Sequence, residues 1–412
     1  MFDLIFRQAR TPEHPDPVDV AIAGGRIAAI APRIDAVAPE FLCDGGLLFP
    51  GFVDSHIHLD KACIADRCQL CEGTLAEAIA ETGRAKRGFT REDVTARGRA
   101  VLERAIMAGT TAMRTHVEID PRIGLTSFDA ITTLKQDFAD LIDLQICVFP
   151  QEGLTNDPGT EALLDEALQA GANLLGGCPY TDTDPKAQIR RLFDLATRHG
   201  VDLDFHLDFD LDPAGGSLDD VIAETTMRGY GGRVAVGHAT KLSALPTTRL
   251  ERTADRLAEA GVAVTVLPAT DLYLTGRDRD HLVPRGVAPA HRLAARGVTT
   301  SIATNNVLNP FTPFGDANLM RMANLYANVA QVGTTADLAR VFGMVSTDAA
   351  RLIGREEHRV VPGAPADLVL LDAVSPADAV ARIAQARAGW KAGRQSFEHP
   401  LPRLVNKKES PA

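Results

Sequence analysis

The chain has 412 residues, 45% of them apolar, and a formal net charge of -11. That is too long for one small domain and suits a (β/α)8 barrel of ~250 residues with a satellite. Aromatics are only 5%, so no stacking surface for single-stranded nucleic acid is expected, and no basic excess exists to displace a polyanion's counterions. A local cationic pocket for a small anion remains compatible with this balance. The six cysteines are too sparse for a disulfide framework. Cys68 and Cys71 form a single C-x-x-C with no second pair, so reduced thiols are expected. The N-terminus has no apolar signal region and no run reaches membrane-spanning length. A cytoplasmic protein without nucleic-acid or membrane partners is expected, and a homo-oligomer is compatible with this.

Residues 1–48 read as short strands, with "DVAIAGGRIAAIAP" split by a Gly24-Gly25 hairpin signal. From residue 49 the pattern changes. Strand candidates "GFVDSHIHL", "GTTAMRTHVEI", "DLQICVFPQ", "ANLLGGCPY", "VDLDFHLDF", "GRVAVGHAT", "VAVTVLPAT" and "TTSIATNN" alternate with amphipathic stretches such as "PKAQIRRLFDLATRHG". The helices repeatedly end in glycine just before a strand, the preferred residue past a helix end. Eight strands alternating with helices predict a parallel TIM barrel over 49–356. "LPATDLYLTGRDRDHLVPRGVAPAHRL" reads as a long polar loop, with Asp271, Tyr273, Arg277 and Arg285 as candidate pocket residues. "NPFTPFGDANLMRMANLYANVA" reads as turns and then a helix whose Met320, Met322 and Leu325 pack into the core. After residue 356 strand character returns in "DLVLL", and "ARIAQARAGWKAGRQSF" allows a strand pair or a helix. Each end is too short to bury a core alone, so 1–48 and 357–412 are expected to pair into one small β-sandwich.

In such barrels chemistry sits at the C-terminal ends of the strands. The first strand ends in His56-Ile57-His58-Leu59-Asp60-Lys61, and residues two apart on a strand face the same side, so His56 and His58 present two imidazoles together. His116, His206 and His238 end the second, fifth and sixth strands. Five of the eleven histidines thus gather at one rim, a pattern suited to a metal, with His116 the outlying member. Gln151, after the third strand, offers both an amide donor and an acceptor to a heterocycle.

These strand ends, with "HIHLD", "MRTHVEID", "DLQICVFPQEG", "NVLNPFTPFG" and "GAPADLVLLD", resemble the amidohydrolase superfamily, and within it the cytosine deaminase group and its triazine-ring relatives. The likeness spans roughly residues 18–395. It implies one divalent ion, zinc or iron by the preference of imidazole ligands, held by His56, His58 and His206. It further implies that His238 hydrogen-bonds the attacking water or leaving group and that Gln151 holds the ring of a small heterocyclic substrate.

Two positions depart from the family pattern. Asn305 and Asn306 stand where the eighth strand should carry an aspartate, and Phe209 replaces a proton-carrying glutamate. An amide cannot accept a proton at working pH, and phenylalanine cannot transfer one. Three neutral histidines without the aspartate also leave the ion's charge uncompensated, which predicts weaker retention or completion by an anionic ligand. Asp208, Asp210 or Asp271 is expected to supply the missing carboxylate, or Lys61 a cationic group or base, with Lys241 a weaker candidate. The sequence therefore predicts a metal-dependent hydrolase of a C–N bond in a small cyclic amide, amidine or aminated heterocycle, with His238, Asp208, Asp271 and Lys61 as catalytic candidates. His116, Gln151, Phe209, Asn305 and Asn306 are the substrate-facing candidates. The alternative is a catalytically silent ligand-binding protein on the same scaffold, for which Asn305 and Phe209 argue, and a third is a metal-free lyase or isomerase using Lys61.

Overall fold

The computed structural model describes residues 1–400 and 402; the remainder of the expected second sandwich segment, 401 and 403–412, lies outside the described residues. Eight strands form one parallel sheet in chain order: Phe52–Ile57, Thr110–Glu118, Asp143–Phe149, Leu174–Gly177, Asp202–Leu207, Val234–His238, Val262–Val266 and Thr300–Ile302. The sheet closes where Asn305, just past the eighth strand, bridges to Ile57 on the first. The result is a (β/α)8 barrel with helices between its strands.

Local chemistry explains the alternation. Thr90 caps Arg91–Met107 by accepting from the Asp93 amide, and Asp184 caps Pro185–His199 with proline in its first turn. Thr247–Ala260 buries Leu250, Ala254 and Leu257 on one face, at helical spacing. Gly200 and Gly261 follow their helices with φ of 68° each, a left-handed turn that feeds the chain into the next strand.

The expected polar loop after the seventh strand is different in one respect. It opens with a helix, Pro268–Leu274, because Pro268 pre-sets the first turn and lacks the amide that position leaves unpaired. A second short helix, Ala290–Ala294, closes the segment. Leu274 and Tyr273 of this segment meet Phe209, Phe311 and, from the helix Leu75–Ala85, Leu75, Ala78 and Ile79 in an apolar cluster. Met320 and Met322 are buried in the core, as their spacing predicted.

The two ends form two four-stranded sheets. Leu4–Ala9, Val18–Ala23, Arg26–Ala31 and Glu40–Leu42 make one; Leu47–Phe49 joins Leu368–Leu371, Ala386–Lys391 and Arg394–Glu398 in the other. The ambiguous segment near residue 390 is thus a strand pair, preceded by the helix Pro376–Arg382. Phe6, Leu48, Leu368, Leu370 and Trp390 share one apolar cluster between the sheets. Trp390 meets Phe6 and Phe41 edge-on, with ring centroids 4.7 and 4.8 Å away.

His358 ties this part to the barrel. Its buried Nε2 donates to the carbonyl of Gly51, immediately before the first barrel strand, at 3.0 Å. Burial pushes the imidazole down to about 4. The unfolded chain takes up a proton at this ring near pH 6.5 while the folded chain resists until about 4. Its contribution is therefore complete above the unfolded value and is lost as pH falls toward the folded one, by at most ~3 kcal/mol. The urea midpoint is expected to fall more steeply between about pH 7 and pH 4.5 in the wild type than in His358→Gln, which keeps a donor but does not titrate. Equal slopes would show that His358 does not carry this dependence.

Candidate functional site

Three imidazoles meet at the C-terminal end of the barrel. His206 Nε2 lies 3.1 Å from Nε2 of His56 and 3.1 Å from Nε2 of His58. Ligands at 2.0–2.1 Å in a tetrahedral arrangement stand about 3.3 Å apart, so this donor set fits a divalent ion such as zinc or iron. The opposite ring nitrogens, Nδ1, are buried without partners. Burial and mutual repulsion hold all three rings well below the ordinary histidine range, so they are neutral and ready to donate lone pairs. Phe149 stacks on His206 with centroids 4.4 Å apart and fixes the plane of that ring.

Asn305 sits beside them in a left-handed conformation with φ of 62°. Its amide donates to the His56 carbonyl at 2.9 Å, and its carbonyl accepts from the His58 amide at 2.8 Å. Both polar atoms of its side chain are buried without a protein partner. Such an orphaned amide in a fully buried place calls for a ligand or water. Asn306 turns its Oδ1 to Asn309, at 2.8 Å, which leaves its NH2 unengaged.

His238 ends the sixth strand with φ of 65°. Its Nδ1 lies 2.6 Å from Asp271 Oδ1, whose other oxygen accepts from the Leu267 amide. Burial pushes the Asp271 carboxyl up, against the pull of His238. Asp271 therefore fixes the tautomer and angle of His238 from behind. Lys61 is buried, not solvated: Nζ donates to Glu118 at 2.8 Å and to Gln151 Oε1 at 3.3 Å, and it lies 4.2 Å from the centre of the Phe311 ring. Gln151 spends its NH2 on the Cys178 sulfur.

Around these groups lies a small cleft with about 10 Å³ of free space, room for a water. Lys61, Gln151 and Asn306 line it with polar groups, Leu75, Phe209 and Phe311 with apolar ones, and His58, His206 and His238 complete it. The Phe209 ring stands edge-on to His238 at 4.2 Å.

Other predicted residues are placed elsewhere. Asp208, offered as a source of the missing carboxylate, does not continue the face of His206: the strand ends at Leu207 and Asp208 has φ of 49°. Its carboxylate instead accepts the Ser217 and Leu218 amides at a helix start. Asp210 pairs with Lys241 at 2.6 Å, and Lys241 also donates to two carbonyls of the same loop. Arg277 and Arg285 are exposed, and Arg285 donates to the Val329 carbonyl. His116 stacks on His56 with centroids 3.8 Å apart and makes no hydrogen bond. The cysteines are all free thiols.

Four charged groups inside the barrel were missed. Asp204 lies beneath the histidines, 4.0 Å from His56 Nδ1, and pairs with Arg114 at 2.8 Å. Glu118 takes Lys61 on one oxygen and the buried Lys86 on the other. The available signal was strand alternation: Asp204 lies two residues before His206, and Arg114 and Glu118 flank His116 at the same spacing. His56, His116 and Asp204 form a second potential donor group, but Arg114 already supplies the charge that Asp204 requires.

Residues 100–397 match the amidohydrolase family. The chain is 29% identical over 407 residues to N-isopropylammelide isopropyl amidohydrolase of Pseudomonas sp. (strain ADP), covering 95% of this chain and 96% of that one. It is 30% identical over 361 residues to pterin deaminase of Rhizobium rhizogenes, covering 86% and 82%. Among solved structures, 5-methylcytosine deaminase of Klebsiella pneumoniae, liganded with 5-fluorocytosine, matches with a TM-score of 0.93 and 27% identity, covering 98% of this chain and 100% of that one.

The Arg114–Asp204 pair yields a direct test. Arg114→Met leaves a carboxylate unpaired inside the barrel and is expected to cost ~3–5 kcal/mol. Arg114→Met with Asp204→Asn removes the stranded charge and should recover a large part of that loss, read as denaturation midpoints of both variants. No recovery would mean that the pair does not hold the barrel interior together.

Proposed function

The chain belongs to the amidohydrolase family and is a hydrolase of non-peptide C–N bonds, and from that premise we propose that it acts on a single-ring aminated heterocycle or cyclic amide at a divalent metal ion held by His56, His58 and His206. The observation that carries this is the meeting of three neutral Nε2 atoms, at 3.1 Å, beside a small cleft lined by Lys61, Gln151 and Asn306. A divalent ion there would lower the pKa of a water and supply hydroxide near neutral pH.

The chain's own residues do the rest. Gln151 and the Asn306 amide orient ring polar atoms, and Phe209 with Phe311 packs the ring's apolar faces and excludes water. His238, steered by Asp271, takes the proton of the attacking water through Nε2; Asp271 acts through His238 and does not itself line the cavity. Lys61 faces the ring from the side of Gln151 and gives its proton to the leaving nitrogen. Asn305 offers a neutral oxygen where a carboxylate would neutralise one unit of charge, so the centre favours an anionic or acidic ring.

Purified, untagged protein dialysed without chelator is expected to carry about one equivalent of zinc or iron by mass spectrometry. His206→Ala should retain less than about a tenth of it, and Asn305→Asp should resist chelator at least about tenfold longer. A wild-type protein that is metal-free and cannot be reloaded refutes the proposal. Loaded enzyme should release the exocyclic amine from at least one of N-isopropylammelide and 5-methylcytosine, single-ring compounds on which similar enzymes act.

A further inference from the structure

No aspartate or glutamate lines the cavity. Hydrolysis nevertheless needs a proton at the leaving nitrogen for each turnover, and Lys61 must be recharged after giving one up. Behind Lys61 runs a continuous series of buried charged groups. Glu118 Oε1 takes Lys61 at 2.8 Å, and Glu118 Oε2 takes Lys86 at 2.9 Å. Lys86 reaches Asp120 and Glu152 at 2.5 Å each. Glu152 then meets Arg122 at 2.8 Å and borders a surface hollow with Arg84 and Arg87. The side chains of Lys61 and Lys86 are 2% exposed, whereas Glu152 is 22% exposed. One end of the series touches the cavity and the other touches solvent.

We infer that this row of ion pairs conducts protons from solvent into the cavity, in the order Glu152, Lys86, Glu118, Lys61. The inference rests on the hydrolase reading above, with Lys61 as the donor.

An arrangement kept for stability alone is a poor explanation. Four buried charges, Lys61, Lys86, Glu118 and Asp120, lose hydration that their attraction only partly returns, and apolar side chains of the same volume generally do as well. The geometry also gives each carboxylate two different partners on its two oxygens, as a relay requires. Burial and the nearby Glu118 push Glu152 up to about 7, so a proton is held at the outer end near neutral pH. Lys61 and Lys86 hold Glu118 below its usual value despite burial, so it begins as a carboxylate between two cations.

The steps balance. The attacking water leaves one proton on His238 and its oxygen forms the new bond to carbon. The C–N bond breaks, its electron pair stays with nitrogen, and Lys61 protonates that nitrogen. Lys86 passes a proton to Glu118 Oε2, a half-turn of the carboxyl presents it to Lys61, and Glu152 recharges Lys86 from solvent. His238 returns its proton to solvent on product release. One proton enters by the relay and one leaves by His238.

The test uses the metal-loaded protein labelled with nitrogen-15 lysine, and reads the exchange of Lys61 Nζ protons with water by NMR. Lys86→Arg keeps the positive charge but not a transferable proton. Glu152→Gln blocks the outer end at a partly exposed position and serves where the arginine is not accommodated. Exchange at Lys61 is expected to slow at least about tenfold in either variant, with thermal midpoints near wild type. Turnover of the compound found above is expected to fall by a similar factor in kcat with KM unchanged. Exchange at the wild-type rate in both folded variants overturns the relay, and so does slowed exchange with undiminished kcat. If wild type turns over neither of the two compounds, the substrate proposal fails, while the exchange measurement still decides whether the path conducts.

Discussion

The mouth of this barrel depends on one residue's backbone. The eighth strand is three residues long, and the contact that closes it onto the first is made by Asn305, through its amide to His56 and its carbonyl from His58. These two bonds bracket the pair of histidines on the first strand and set their spacing toward His206. The left-handed conformation at Asn305 is one that asparagine and aspartate tolerate better than other side-chain-bearing residues. Closure therefore restricts the residue to a short list, and the choice within that list sets the charge at the centre. The hydrogen bonds that hold the rim do not change with that choice.

Below the rim the barrel is polar in an ordered way. Ser301 joins Ser55 and Thr265, at 2.7 and 2.9 Å, and Thr304 donates to Asp54 at 2.5 Å. Burial pushes Asp54 up to about 7, while Arg114 and His116 hold Asp204 below its ordinary value despite the same burial. The two aspartates lie in one interior and differ because only one has a cation beside it. The neutral histidines sit between them and above Asp204. Arg114 balances the carboxylate of Asp204, which lies 4.0 Å from His56 Nδ1.

Much of this was legible in the sequence. Alternation of strand and helix, with glycine past the helix ends, read as a barrel because those signals are local. The first-strand H-x-H read as a pair of imidazoles because a strand's period is two. The same rule would have exposed Asp204 and Arg114, which lie deeper than the strand ends that were read, and Glu118, which ends the second strand itself. Asp208 was misplaced by extending the strand one residue too far; a left-handed residue there reverses the side chain, and nothing in "HLDFD" signals it. The burial of Lys61 was invisible for another reason. It depends on Lys86, Glu118 and Phe311, which the fold brings together from three separate stretches of the chain.

The pairing of Leu47–Phe49 with Leu368–Leu371 has a consequence for how the protein is made. These partners are about 320 residues apart in the chain, so their contact is among the costliest in loop closure and comes late. During synthesis the early strand emerges long before its partner exists, and the apolar side of the first sheet waits with it. Leu48 and Phe6 stay uncovered until Leu370 and Trp390 arrive. The ribosome must therefore deliver nearly the whole chain before the last core can form, and chaperones that shield exposed apolar strands have their longest task at the amino terminus.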